Sequence, residues 1–136
     1  KKEHLEPLML QKINAYLPEW VRKGHAAQME KTGALTVLVN GEITMCGGVT
    51  YIWEGRGQVW SIFSETCKRN FLPTFRAIRK YLDSVPFRRI EMAVPCDFEM
   101  GKRRARLLGF RLECERAEKY SSSGADHALY ARIKNV

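Results

Sequence analysis

Apolar positions recur along this chain with two different periods, and the period changes several times. In HLEPLMLQKI, residues 4–13, Leu5, Leu8, Met9 and Ile13 share one helical face, with Pro7 in the first turn. Leu17, Trp20, Val21 and Gly24 predict a second helix over 17–31, with Pro18 near its start and Gly33 at its close. The period then shortens. ALTVLVN, 34–40, is rich in β-branched side chains and predicts a strand, and Asn40-Gly41 is a strong hairpin signal. EITMCGGVTYIWE, 42–54, predicts the return strand, where Gly47-Gly48 marks a bulge or a close backbone approach. Gly55-Arg56-Gly57 predicts a second turn, and QVWSIFS, 58–64, a third strand. Strands joined in this way form an antiparallel meander.

Helical spacing returns at 67–82, where Phe71, Phe75, Ile78 and Leu82 share a face and Lys68, Arg69, Arg76, Arg79 and Lys80 fill the rest. Pro73 fits only its first turn. RIEMAV, 89–94, predicts a strand after a helix, and therefore parallel pairing with an earlier strand. A short basic helix follows. Asp97 is its expected N-cap, Glu99 suits the first turn, and Lys102, Arg103, Arg104 and Arg106 suit the later turns. Leu107 and Leu108 are expected to pack inward, with Gly109 as the residue after the cap and Phe110 as its apolar contact. Residues 110–118 and 127–133 predict two more strands around the loop 121–125. The expected class is α+β, layered α/β/α, in a single domain over residues 1–136.

Composition narrows the function. The chain has 136 residues and a net charge of +8, which favours an anionic partner: nucleic acid, a phosphorylated cofactor or an acidic protein surface. No apolar run approaches the ~20 residues of a membrane span. Cys46, Cys67, Cys96 and Cys114 form no CxxC pair, and His4, His25 and His127 are scattered, so no metal site is expected. Free thiols point to a reducing cytoplasm. Cys67, beside Lys68 and Arg69 at a helix start, is the one thiol whose pKa those cations would lower. Tyr51, Trp53 and Trp60 are expected to pack in the core rather than stack on a ligand.

The order of elements, the LLGF ending at 107–110, the β-α-β run from Val59 to Val94 and the closing strand with Leu129-Tyr130 resemble the GNAT superfamily of N-acetyltransferases. The resemblance implies a mixed central sheet with flanking helices, whose usual first strand would lie upstream of Lys1. Lys68, Arg69 and Phe71, the aromatic third strand and the basic helix look most like the degenerate GNAT-like proteins of short-tailed bacteriophages, including internal virion proteins. It also implies acetyl-CoA as cofactor. The pantetheine arm would run along the backbone of Trp60, Ser61, Ile62 and Phe63. The pyrophosphate would sit at the turn containing Cys67, Lys68, Arg69 and Asn70.

The family's glycines are missing from that turn. Its general-acid Tyr is replaced by Ala105, and its usual Asn by Phe98. Cys96, Tyr120, Ser61 and His127 remain as alternative donors, and Glu42 and Glu54 as alternative bases; no catalytic residue is assigned. Three readings follow. The first, adopted here, is a phage-encoded acyl-CoA-dependent N-acetyltransferase relative with a degenerate cofactor site, acting on an amine acceptor. The second is a non-catalytic virion or accessory protein with a virion or host protein partner, in the host cytoplasm or the virion. The third, a basic nucleic-acid-binding module, is less favoured because no nucleic-acid motif is present.

Overall fold

A computed structural model describes residues 34–135. The two expected N-terminal helices, the upstream strand, His4 and His25 lie outside the described residues. Six strands form one mixed sheet: β1 (Leu35–Val39), β2 (Glu42–Trp53), β3 (Arg56–Phe63), β4 (Arg89–Pro95), β5 (Arg111–Ala117) and β6 (His127–Ile133), in the order β1-β2-β3-β4-β6-β5. Helix α1 (Phe71–Ser84) follows a 3-10 turn (Glu65–Lys68), and α2 (Glu99–Leu107) joins β4 to β5. Among the described residues no helix is long and apolar enough to cross a membrane.

The described residues fall into two compact units, one up to Thr50 with Val59–Ser84, and the other Tyr51–Gln58 with the segment from Val85 onward. In the first, Asn40 and Gly41 adopt φ of 52° and 80°, the left-handed pair that the β1–β2 hairpin turn requires. The β1–β2 ladder passes from Val37↔Met45 to Leu38↔Ile43, so Thr44 is the extra residue of a bulge. The bulge lies here rather than at Gly47-Gly48. Those glycines instead allow close approach: a Cβ on Gly47 would stand 2.8 Å from the Trp60 carbonyl oxygen. Helix α1 buries Thr74, Phe75, Ile78 and Leu82, with Phe75 stacked 5.7 Å from Phe63. Pro73 lies in its first turn, as expected.

In the second unit β4 pairs parallel to β3 from Arg56↔Arg89 to Gln58↔Glu91, and antiparallel to β6 along its whole length. Its core gathers Ile90, Val94, Ala105, Leu108, Phe110 and Tyr130. Helix α2 ends as its sequence requires: Gly109 has φ of 89°, its amide donates to Arg106 O at 3.1 Å, and the Phe110 amide donates to Ala105 O at 3.0 Å. Leu108 is buried, but Leu107 is exposed, contrary to expectation. The start also differs. The Phe98 amide donates to Pro95 O, which places Asp97 inside a turn and Phe98, not Asp97, at the N-cap. The Phe98 ring lies over Gly101, where a Cβ would come within 2.7 Å of it.

Arg56 and Arg89 face each other in the β3–β4 ladder, and Glu91 neutralises both. Arg56 donates to its two oxygens at 2.6 and 2.8 Å, and Arg89 donates at 2.6 Å while also holding Glu113. Arg56 chiefly holds the Glu91 carboxyl below the usual carboxylate range, and Arg89 does the same for Glu113. Depressed folded-state values contribute stability above the unfolded pKa, and that stability is lost as pH falls through the folded one. Thermal melts should therefore fall below about pH 4.5, the ordinary value, and Glu91→Gln should flatten that acid limb. An unchanged acid limb in the variant would remove this network from the account.

Candidate functional site

The expected cofactor residues all lie in the first unit, where β3 runs through the 3-10 turn into α1. Along β3, Trp60 and Ile62 share one face and Ser61 and Phe63 the other. Trp60, Ile62 and Phe63 are buried, and Ser61 is half-buried. Among the described residues the Trp60 Nε1 proton has no acceptor, an orphaned donor in a buried place.

After Phe63 the chain turns on hydroxyl groups, not glycines. The Ser64 amide donates to Thr44 O at 3.0 Å. Ser64 Oγ and Thr66 Oγ1 both reach Ile43 O, at 2.6 and 2.8 Å, and stand 2.6 Å apart. Thr74 Oγ1, on the buried face of α1, lies 2.6 Å from Asn70 O and 2.8 Å from Thr44 Oγ1. Thr44 Oγ1 in turn lies 3.3 Å from Val37 O. The bulge in β2 thus aims Thr44 at the helix, and four hydroxyls clamp the junction. The sequence analysis missed this cluster. A signal was there: Thr74 falls on the apolar face defined by Phe71, Phe75, Ile78 and Leu82, where a polar residue needs a partner.

The turn itself brings Cys67, Lys68, Arg69 and Asn70 together. Cys67 is buried, so its side chain points away from the surface of the turn. A reactive Cys67 is therefore corrected: the thiol lies out of reach of solvent. Lys68 is exposed. Arg69 is exposed but donates to Glu42 at 2.7 Å, which partly spends its charge. Asn70 Nδ2 donates to Thr66 O at 3.0 Å, and the Thr74 amide donates to Asn70 O. Phe71 and Leu72 begin α1, and among the described residues nothing accepts their amides. An anion would meet two free N–H groups, the positive end of a helix and the Lys68 ammonium. Pro73 withholds the third amide.

The remaining candidates divide between the units. Ser61 is on β3. Cys96, Tyr120 and His127 belong to the second unit. Cys96 Sγ donates to Glu115 O at 3.6 Å, and the Tyr120 and His127 rings lie 5.4 Å apart. Asp126 accepts from Arg116 and from the Lys119 amide, the latter being the main reason its carboxyl is held low. Glu54 sits in the β2–β3 turn. Ala105, which the resemblance sets in the place of a general-acid Tyr, is fully buried, and Phe98 caps α2. Tyr51 and Trp53 are corrected: both are exposed, at the end of β2 that leads into its turn to β3.

By sequence, no family model and no curated protein matches the chain. By structure, the fold is that of the GNAT acetyltransferases. Ard1 from Thermoplasma volcanium superposes with a TM-score of 0.76 at 12% identity, over 98% of this chain and 93% of that one. The spermidine N-acetyltransferase SpeG from Vibrio cholerae, as its F149A mutant, gives 0.71 at 10% identity, over 98% and 91%. The ribosomal L7/L12 α-N-protein acetyltransferase RimL, in complex with coenzyme A, gives 0.70 at 15% identity, over 98% and 90%. Identities this low speak for the fold alone.

Proposed function

We propose that this protein is a phage-encoded relative of the acyl-CoA-dependent N-acetyltransferases, with a reduced cofactor site at the β3–α1 junction and an amine as acceptor. The observation that carries the reading is the start of α1: two free amides, Lys68 beside them, and a Cys67 side chain turned inward. The surface that family members keep open with glycine is here left open by burying the side chain. Lys68 and the Phe71 and Leu72 amides would hold the coenzyme A diphosphate, with Arg69 beside them but held by Glu42, and the backbone of Trp60–Phe63 would line its arm. Bound there, acetyl-CoA supplies a thioester carbon that an amine can attack. The hydroxyl clamp of Ser64, Thr66, Thr44 and Thr74 holds the amides in place before the anion arrives, which lowers the ordering cost of binding. The coenzyme A bound by RimL, and the amine acceptors named for SpeG and RimL, support this choice of chemistry. The phage origin is supported by Lys68, Arg69 and Phe71, the aromatic third strand and the basic helix.

A second reading is favoured by Ala105 and Phe98. A buried alanine and an apolar cap cannot donate a proton to a leaving thiolate, so the fold would serve as a non-catalytic virion or accessory protein. Calorimetric titration with acetyl-CoA separates the two. The first predicts micromolar binding, weakened about tenfold by Lys68→Ala, since a hydrogen bond to a charged group contributes about 1.5 kcal/mol. Arg69→Ala should add little, because Glu42 already holds that guanidinium. No heat at millimolar acetyl-CoA would end the enzyme reading and leave the accessory one.

A further inference from the structure

The turn end of the β2–β3 hairpin carries a surface that neither reading uses. Tyr51 and Trp53 stand two residues apart on an extended strand, so they share a face about 7 Å apart. They are 64% and 57% exposed, unusual for side chains this large and apolar. Each is braced by a neighbour. The Phe87 ring lies 6.3 Å from that of Tyr51, and the Arg56 guanidinium lies 4.4 Å over the Trp53 ring. Arg56 is itself fixed by two hydrogen bonds to Glu91. The indole is thus held in place by a cation–π contact yet open to solvent.

A shallow groove of about 430 Å³ begins at Trp53 and Gly55 and is walled by Arg56 and Arg88. Gly55 has φ of 83°, and a Cβ there would come within 2.7 Å of Arg88 Nε, so the turn and this arginine lie close together. Among the described residues Arg88 has no carboxylate partner, unlike Arg56 and Arg89. Glu54 and Glu91 also line the groove, and Glu91 is committed to the two paired arginines. The surface therefore offers two rigid aromatic faces in a row and one unspent guanidinium beside them, on a chain of net charge +8.

We propose that this hairpin surface binds single-stranded nucleic acid, with successive bases stacked on Tyr51 and Trp53 and a phosphate held by Arg88. Stacking suits any base, because every base has a π-face, and an alternating strand presents its platforms at every second residue. A duplex fits poorly, since its bases are already stacked on each other. The basic face of α2 would give a different signature, many phosphate contacts and no stacking. This inference does not depend on coenzyme A binding.

The test is fluorescence anisotropy of the whole protein with a labelled single-stranded DNA oligonucleotide of mixed sequence and with the same sequence as duplex. The expected result is tighter binding of the single strand. Trp53→Ala and Tyr51→Ala should each weaken it about tenfold, and Trp53→Phe should retain most of it. With one or two phosphate contacts, log K should fall with log salt at a slope of about −1, near −0.7 per contact. Arg88→Ala should make that slope shallower. All four substitutions are at surface positions, and unchanged melting temperatures would show that the fold is intact. The proposal is overturned by an absence of binding. It is equally overturned by affinity that Tyr51→Ala and Trp53→Ala leave unchanged, or by a steep salt slope that Arg103→Ala with Arg106→Ala abolishes, which would place binding on α2.

Discussion

Ile90→Ala should lower the melting temperature by on the order of 10 °C, the largest loss expected from one substitution in the second unit. Ile90 is fully buried in the middle of β4. Its neighbours in the ladders are Gly57 on β3 and Arg132 on β6, so no apolar side chain stands directly beside it on either flank. Val94, two repeats of the alternation further on the same face, is pressed against Gly101 of α2 and has no slack to shift. The space left by an alanine would therefore stay largely empty. Truncation of a buried isoleucine costs about 2–5 kcal/mol, towards the upper end where the site cannot collapse. Ile90→Val, which leaves a much smaller void, should cost about 1 kcal/mol. Calorimetric melts of the two variants check the ordering. Equal, small shifts in both would mean that neighbours relax into the space, contrary to the packing described.

Thr74→Val is expected to cost about 2 kcal/mol at nearly constant volume. Thr74 is fully buried on α1, and its hydroxyl meets Thr44 Oγ1 and Asn70 O. Only two hydroxyl hydrogens serve the contacts among Thr74, Thr44, Asn70 and Val37, so each is committed. A methyl in place of the hydroxyl leaves Thr44 with the 3.3 Å contact to Val37 O alone. The pair Thr44→Val, Thr74→Val should cost less than the sum of the single changes, because removing both partners leaves neither unsatisfied. Urea midpoints of the four proteins close the cycle. Strict additivity would show that the two hydroxyls act separately.

The features read correctly from the sequence are those decided over a few residues. Asn40-Gly41 closes a hairpin because its two residues reach positive φ with little strain, and no distant contact is needed. Leu108-Gly109-Phe110 ends a helix for the same reason, and the two hydrogen bonds at that end are local. The strand at 89–95 follows a helix, and the parallel pairing with β3 is what a crossover connection imposes. With the helical face of Phe75, Ile78 and Leu82, these elements sufficed for the mixed sheet.

What a side chain meets across space was not legible. Leu107 repeats the chemistry of Leu108, yet one is exposed and the other buried, because the cap turns the chain between them. Asp97 has the composition of a cap, but the turn closed by Phe98 and Pro95 carries the chain past it. Cys67 stands in a cationic run whose backbone turns the thiol inward. Tyr51 and Trp53 read as core because aromatic strand residues usually pack; they stand exposed at the turn end of β2. Sequence by itself determined the order of helices and strands from residue 34 onward, the β1–β2 turn, the end of α2 and the resemblance to acetyltransferases. Tertiary structure alone decided which hydroxyls meet at the β3–α1 junction, which cations stay unspent among the described residues and which aromatic faces remain open. Those depend on residues brought together from far apart in the chain, and no local pattern encodes a partner 30 positions away, as Thr44 is from Thr74.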